Sequence, residues 1–338
     1  MHSSRERSDS AGPRMIAVKA AFLIACSVLT SVAAHAQSKA THEYYFVNGA
    51  KLYIESLGEG APVVFLHGGL MFFDNAYAKQ RDYFAAHHRV IGIDQRGHGH
   101  SPDGPWQLSY QLMANDTAAV IQKLKVGPVD VVGHSDGANI ALLLARDHPE
   151  LVRRMVISGA NLRGWSPQVL EARKQLPPAQ LEEMIAKLAA SLPPFFRVDY
   201  GAVSPDGPDH WTAMVRKCFW LWGQPVVIEP GELKKIQQPV MVVAGDHDFT
   251  TIEETTEIFR GLPHGQLFVV PGTGHGTFSS RPELLNLAIG EFLEQPEPHD
   301  AYLRHNVGVN STRMVNTSRR PSSIAAEQTQ VWKSVSTP

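Results

Sequence analysis

The sequence PVDVVGHSDG occupies residues 128–137, and ANIALLLA follows it at residues 138–145. The first five residues have the pattern of a short buried strand, and the last eight have that of a buried helix. A very tight turn between two such elements forces Ser135 into a strained backbone conformation and lifts its hydroxyl clear of both. Glycine is required at positions 133 and 137 because a Cβ there would collide with the neighbouring element. The stretch therefore predicts a nucleophile elbow centred on Ser135.

Short apolar segments alternate with helical patterns along most of the chain. The predicted strands are residues 44–47, 51–57, 62–66, 89–93, 128–132, 154–158, 240–244 and 266–270. The predicted helices are residues 77–87, 109–125, 138–145, 169–175, 179–191, 209–222 and 283–293. Uniformly apolar strands separated by helices are typical of a parallel sheet covered on both faces. We therefore expect an α/β protein with a mostly parallel sheet, opened by a hairpin around Asn48-Gly49.

Composition divides the chain into four parts. The 338 residues are 43% hydrophobic and 19% charged, which is typical of a globular protein with a large core. We assign residues 37–163 and 236–294 to the α/β core. Residues 164–235 are helical and rich in aromatic side chains, and we expect them to form a cap over the sheet. Residues 295–338 are polar without periodicity, which predicts a disordered tail.

The N-terminus has the pattern of an export signal. Basic residues precede the apolar stretch 20–29, and the small residues end in an Ala-x-Ala cleavage site before Gln37. We expect a signal peptide over residues 1–36, and a periplasmic or secreted protein that is not inserted in the membrane after cleavage. Two alternatives are an N-terminal membrane anchor and a lipoprotein signal acylated at Cys26. The apolar stretch is short for both.

Charge gives no reason to expect a nucleic-acid partner. The formal net charge is −2, and the sequence has no basic stripe or recognition motif. No second cluster of carboxylates and histidines has the spacing of metal ligands, so we expect neither a metal nor another cofactor. The oligomeric state cannot be inferred from these features.

Acid and base candidates follow two later predicted strands. Serine needs a base to remove its proton, and the base needs an orienting carboxylate. The sequence GDHD at residues 245–248 follows one strand, and PGTGHG at residues 271–276 follows the next. The order of Ser135, an acidic residue and His275 is the chain order of one hydrolase fold.

Five motifs together resemble the α/β-hydrolase superfamily, in its capped esterase-like branch. They are HGG at 67–69, DQRGHGHS at 94–101, the elbow at 133–137, GDHD at 245–248 and GH at 274–275. The resemblance extends from about residue 44 to residue 293. It implies Ser135 as nucleophile, Asp248 as acid and His275 as base. Asp246 is then expected to cap its own loop.

The oxyanion hole should consist of two backbone N–H groups. One belongs to Asp136, and the other belongs to Gly69, with Leu70 as the alternative and as a candidate substrate contact. His67 is expected to brace this loop by hydrogen bonds. We consider two roles for the Asp136 side chain. In the first it attracts an ammonium-bearing substrate, as in related amino-acid ester hydrolases with a similar Ser-Asp-Gly motif. In the second it turns away from the pocket and caps the elbow helix.

The predicted reaction is hydrolysis of a carboxylic ester through an acyl-enzyme intermediate. The aromatic cap suggests a small to medium substrate with an apolar or aromatic group. One alternative is C–C bond, lactone or amide hydrolysis, or perhydrolysis, by the same triad. Another is a ligand-binding or sensor protein with the same fold and weak catalysis.

Overall fold

The computed structural model describes residues 40–224 and 227–294. The predicted signal peptide over 1–36, with Cys26, and the predicted tail over 295–338 lie outside the described residues. Across the described part of the chain, no helix has the length and apolar character needed to cross a membrane.

A single eight-stranded sheet forms the centre of the described part. Its strands are β1 Thr41–Val47, β2 Ala50–Leu57, β3 Ala61–Leu66, β4 His88–Ile93, β5 Val129–His134, β6 Val152–Ser158, β7 Val240–Gly245 and β8 Gly265–Val270. Their spatial order is β1-β2-β4-β3-β5-β6-β7-β8. The pairs β1–β2 and β2–β4 are antiparallel, and all other neighbours are parallel. The mostly parallel sheet confirms the predicted fold class.

Helices cover both faces of this sheet. They are α1 Phe73–Ala85, α2 Tyr110–Leu124, α3 Asp136–Asp147, α4 Pro167–Lys174, α5 Pro178–Ser191, α6 Pro194–Val203, α7 Trp211–Trp222, α8 Ile252–Gly261, α9 Thr277–Ser280 and α10 Pro282–Glu294. Alternate residues of β3 illustrate why every central strand is apolar. Val63 and Phe65 pack with α1 and α10, whereas Val64 and Leu66 pack with α2 and α3.

The cap lies between β6 and β7 in the chain. Helices α4, α5, α6 and α7 all fall within the range predicted for it, residues 164–235. Helix α6 is absent from the predicted helices, because a proline pair such as Pro193-Pro194 has the local pattern of a break between helices. Pro194 instead occupies the first turn, where its missing N–H is not needed. Helix α8 was also missed; it begins after Thr251, whose side chain accepts a hydrogen bond from the Glu254 amide.

The topology collects the motifs at one edge of the sheet. Parallel strands end at the same edge, and the loops after β3, β4, β5, β7 and β8 carry the five motifs of the sequence. Ligands of open α/β sheets bind at this carboxyl edge. Because β5 is central, the turn that follows it lies in the middle of the edge.

Candidate active site

The turn after β5 has the geometry of a nucleophile elbow. Ser135 has φ +54° and ψ −117°, a conformation that a residue with a Cβ adopts only under strain. A Cβ at Gly133 would overlap the Gly137 carbonyl, and a Cβ at Gly137 would overlap the Leu66 carbonyl. The Ser135 amide donates to Ser158 O at 2.8 Å. The predicted elbow is therefore present, with Ser135 half-buried at its apex.

His275 and Asp248 form a hydrogen-bonded pair. His275 Nδ1 lies 2.9 Å from Asp248 Oδ1, which also accepts from the Thr250 amide at 2.9 Å. The Asp248 side chain is fully buried. Because a carboxylate only accepts, Nδ1 carries the proton and Nε2 is left with its lone pair. Nε2 is buried and has no hydrogen-bond partner among the described residues. A base oriented in this way can accept a proton from a nearby hydroxyl.

Asp246, the other acid of the GDHD motif, accepts hydrogen bonds from the loop after β8 and does not bond to His275. Its Oδ1 accepts from the Thr273 amide at 3.1 Å. Hydrogen bonds from the backbone amides of Gly272 and Thr273 hold the pKa of Asp246 below its usual value. Asp246 therefore fixes the neighbouring loop after β8 rather than only its own, and the acid bonded to His275 is Asp248.

Contacts on both sides of Ser135 place His275 beside the elbow. The rings of His134 and His275 lie 4.8 Å apart between centroids. A Cβ at Gly159 would lie 2.6 Å from His275 Cε1, so only glycine leaves room for the imidazole there. Burial, and next the nearby His275, lower the pKa of His134 to about 3. His134 is therefore neutral and does not compete with His275 for a proton.

Two residues that contact His275 were not singled out by the sequence analysis. Gly159 directly follows β6 and has φ +64°, and a glycine directly after a buried strand was the available signal. Phe249 follows Asp248, and its ring centroid lies 4.1 Å from that of His275 while 76% of the residue is exposed. The Phe249 ring therefore covers one face of the His275 imidazole, and the opposite face of the Phe249 ring is exposed to solvent.

The loop after β3 lies against the elbow. A Cβ at Gly68 would be 3.1 Å from Ser135 Cβ. The amides of Gly69 and Asp136 have no hydrogen-bond acceptor within residues 40–224 and 227–294. The Leu70 backbone also interacts with the Cys218 thiol, where it opposes the rise in the thiol pKa that burial causes. Gly69 remains the first candidate for the second oxyanion amide, with Leu70 as the alternative.

His67 braces this loop as predicted. Its Nδ1 lies 2.8 Å from Gly68 O, and its Nε2 accepts from the Gln95 amide at 2.9 Å. These bonds require the neutral tautomer with the proton on Nδ1, and burial lowers the pKa of His67 accordingly. Asp94 fixes the facing loop by accepting from the amides of Phe73 and His100.

The Asp136 carboxylate is buried within the protein, with only 5% of the residue exposed. Its Oδ1 accepts from the Tyr110 hydroxyl at 2.8 Å, and its Oδ2 accepts from Trp222 Nε1 at 3.0 Å. Burial raises its pKa, although both hydrogen bonds oppose that rise. Its donors in the described part of the chain are these two side chains, and no backbone amide of α3 donates to it. These surroundings favour a structural role over the ammonium-binding and helix-capping roles considered from sequence.

No group of three or more His, Cys, Asp or Glu side chains in the described part is arranged to hold a metal ion. The polar groups at this edge include the Ser135 hydroxyl, the His275–Asp248 pair and the backbone amides of Gly69 and Asp136.

These features are those of an α/β-hydrolase, and the chain belongs to that superfamily. The family model described as alpha/beta hydrolase fold matches residues 61–220. A Mycobacterium tuberculosis protein named as a non-heme bromoperoxidase, BpoC, is 30% identical over 262 residues, which cover 70% of this chain and 95% of that protein.

Other relatives have hydrolase names. A Haemophilus influenzae protein named as an esterase/lipase is 26% identical over 254 residues, covering 69% of this chain and 83% of that protein. The solved structure of Est816, described as an N-acyl homoserine lactone degrading enzyme, has a TM-score of 0.60 and 28% identity. It matches 74% of this chain and 100% of its own. The chain thus resembles several hydrolases with different substrates.

Proposed function

We propose that this chain is a serine hydrolase that cleaves carboxylic esters through an acyl-enzyme on Ser135. One observation carries the proposal: a strained elbow serine directly follows His134, whose ring lies 4.8 Å from an imidazole whose Nδ1 is bonded to a fully buried carboxylate. Serine becomes a useful nucleophile only when such a base accepts its proton. The relative named as an esterase/lipase supports the same reaction class.

Acylation begins when Ser135 Oγ attacks the ester carbonyl carbon and His275 Nε2 accepts the hydroxyl proton. The negative charge on the carbonyl oxygen is stabilised by the amides of Gly69 and Asp136. Asp248 stabilises the imidazolium that forms. The imidazolium donates its proton to the leaving oxygen, which departs as the alcohol and leaves the acyl group on Ser135.

Deacylation uses the same groups in reverse. A water molecule attacks the acyl carbon and gives a proton to His275 Nε2. The second tetrahedral intermediate collapses, the proton returns to Ser135 Oγ, and the carboxylic acid leaves. Hydrogen peroxide in place of water would give a peracid, which is the perhydrolysis alternative.

An apolar or aromatic substrate fits the surroundings of His275 best. The exposed ring of Phe249 lies directly beside the imidazole, where a leaving group would pass. The carboxylate nearest the nucleophile, that of Asp136, already accepts two hydrogen bonds and leaves little capacity for a substrate cation. We therefore propose uncharged esters of small to medium size.

Lactone hydrolysis is the second candidate, because Est816 is 28% identical over its whole length and is described as degrading N-acyl homoserine lactones. A lactone is a cyclic ester, so the acylation step is unchanged. The leaving alcohol stays attached to the acyl chain, and only deacylation releases the product.

The test combines active-site labelling with turnover. A fluorophosphonate probe should label Ser135, and p-nitrophenyl acetate and butyrate should be hydrolysed. Ser135→Ala should abolish labelling and lower kcat by about 10⁴-fold or more. Ser191→Ala, at an exposed serine in the cap, is the matched control and should retain both.

The remaining outcomes separate the alternatives. Label on another serine would show that Ser135 is not the nucleophile. N-acyl homoserine lactone turnover above that of the esters would favour the second candidate, and peracid formation would favour perhydrolysis. Labelling without turnover of esters, lactones or amides would favour a ligand-binding or sensor protein.

A further inference from the structure

Three side chains of the cap helix α7 form one stripe along its length. Met214, Cys218 and Trp222 are spaced four residues apart, which places them on the same side of a helix. Together they touch the loops after β3, β4 and β5 at the carboxyl edge of the sheet. We call this set the α7 stripe.

Trp222 contacts both halves of the proposed oxyanion hole. Its indole Nε1 donates to Asp136, at 3.0 Å from Oδ2 and 3.2 Å from Oδ1. A Cβ at Gly69 would lie 2.9 Å from Trp222 Cζ2 and 2.5 Å from Asp136 Oδ2. Gly69 therefore fits between the carboxylate and the indole, and its position depends on both.

Cys218 and Met214 hold the adjoining loops. Cys218 Sγ lies 3.5 Å from His98 Nε2 and interacts with the Leu70 backbone. His98 Nδ1 lies 2.9 Å from the Arg96 carbonyl, so Nδ1 carries the proton and Nε2 accepts from the thiol. Met214 Sδ would be 3.1 Å from a Cβ at Gly97.

Tyr110 completes the support from the core. Tyr110 lies on helix α2 and is 3% exposed. Its hydroxyl donates a hydrogen bond to Asp136 Oδ1 at 2.8 Å. The carboxylate is thus held between the core and the cap by two neutral donors. The same carboxylate packs against Gly69, so it links the position of Gly69 to the residue that carries the other oxyanion amide.

We propose that helix α7 fixes the oxyanion hole, with Trp222 as a positioning residue that acts through Asp136 and Gly69. This inference rests on the proposed serine-hydrolase function. Trp222 does not contact the reacting atoms in this role. Its hydrogen bond sets the distance between the amides of Gly69 and Asp136, which must both point at one oxygen in the transition state.

Trp222→Phe tests the proposal, with Trp211→Phe as the matched control. Trp211 is buried in the same helix and donates its indole N–H to Ala189 O at 3.1 Å, away from Asp136. Both variants lose one indole hydrogen bond donated by α7, to Asp136 for Trp222 and to Ala189 O for Trp211. Trp222→Phe should lower kcat for p-nitrophenyl butyrate by about 10- to 100-fold, because small misplacements of catalytic groups cost that much. KM should stay within about twofold, since ground-state binding is unaffected.

An oxyanion mimic gives a second readout. An alkyl trifluoromethyl ketone forms a hemiketal with the nucleophile and places its oxygen in the hole, so its affinity should fall in parallel with kcat. The concentration of active enzyme is measured by fluorophosphonate titration, so unfolded enzyme does not lower the kcat values.

If Trp222→Phe does not fold, Tyr110→Phe removes the other hydrogen-bond donor to Asp136. It should lower kcat in the same way but by a smaller factor, about 3- to 10-fold.

The outcomes distinguish this inference from the proposed function. A wild-type chain that neither labels nor turns over any ester would contradict the proposed function itself. Active wild type with a Trp222→Phe kcat no lower than that of Trp211→Phe would overturn the positioning role. A raised KM with unchanged kcat would assign Trp222 to substrate binding and would also overturn it. A preference for amino-acid esters that vanishes in Asp136→Asn would show that the carboxylate binds substrate instead.

Discussion

At the scale of single residues, the space around His275 is set by Gly159. This residue has φ +64°. Because glycine has no Cβ, the His275 imidazole can occupy the space that a Cβ would fill. A side chain here would displace the base from the elbow, although Gly159 takes no part in proton transfer. The left-handed backbone and the close approach both require glycine.

Replacing Gly159 by alanine should therefore lower activity strongly while lowering stability only slightly. We expect Gly159→Ala to lower kcat by about 100-fold, because the added Cβ pushes the His275 ring out of line. Gly207→Ala is the matched control: its φ is +81° and no atom lies within 4 Å of the added Cβ. Both variants should lose about 1 kcal/mol of unfolding free energy from backbone strain, measured by urea denaturation, but Gly207→Ala should keep wild-type kcat. Equal kcat in the two variants would contradict this explanation.

At the scale of elements, the loop after β4 is anchored to helix α2 by a buried ion pair. Arg96 Nη2 donates to Asp116 Oδ1 at 2.7 Å and to Asn48 O at 2.7 Å, and its Nε also bonds to the carboxylate. Both charged side chains are essentially inaccessible. Removing one partner of such a pair leaves an uncompensated charge in the interior, which is far more costly than losing a surface pair.

Asp116→Ala should destabilise the protein by about 3–5 kcal/mol, because the Arg96 guanidinium stays buried without its counter-charge. The control is Glu257→Gln, which breaks the two-pronged pair between Arg163 and Glu257 on the surface. That change should cost about 1 kcal/mol or less. Urea unfolding of both variants gives the comparison. Similar losses in the two would show that burial does not govern the strength of these pairs.

At the scale of the whole molecule, stability should depend on pH through Glu55. This residue is 3% exposed on β2, and burial raises its pKa from 4.5 to about 7, a rise that Arg81 only partly opposes. The folded state therefore holds a proton that the unfolded state releases at lower pH. Stability from this source is present below pH 4.5 and is lost as pH rises through about 7.

Glu55→Gln should remove this dependence, because glutamine stays neutral throughout. We expect the difference in unfolding free energy between Glu55→Gln and wild type to grow in favour of the variant from pH 5 to pH 8. Glu59→Gln, in the exposed loop between β2 and β3, is the matched control for the chemical change itself. Parallel pH profiles for wild type and Glu55→Gln would exclude Glu55 as the source.

We also propose that the chain is exported with residues 1–36 removed, from the basic and apolar pattern of its N-terminus. Protein recovered from the periplasm or medium of a bacterial host should begin at Gln37 by N-terminal sequencing. Cys26→Ser should leave export and processing unchanged. Acylated protein in the membrane that is lost in Cys26→Ser would identify a lipoprotein instead.

The sequence alone determined the eight strands and most of the helices between them, because burial on both faces of a parallel sheet imposes uniformly apolar strands. It also determined the elbow, since the turn tolerates only glycine at positions 133 and 137, two residues before and two residues after Ser135. It missed α6 because a proline pair has the same local pattern whether it breaks a helix or begins one.

Only the tertiary structure decided the surroundings of the Asp136 carboxylate. The carboxylate meets Tyr110 from α2 and Trp222 from the cap, residues 26 and 86 positions away in the chain. No local periodicity encodes such a meeting, because it depends on how the cap packs over the carboxyl edge of the sheet. The same holds for Gly159, whose missing Cβ matters only once β6 and the loop after β8 lie side by side. Local sequence specifies the elements and their turns, and long-range packing specifies which side chains share a site.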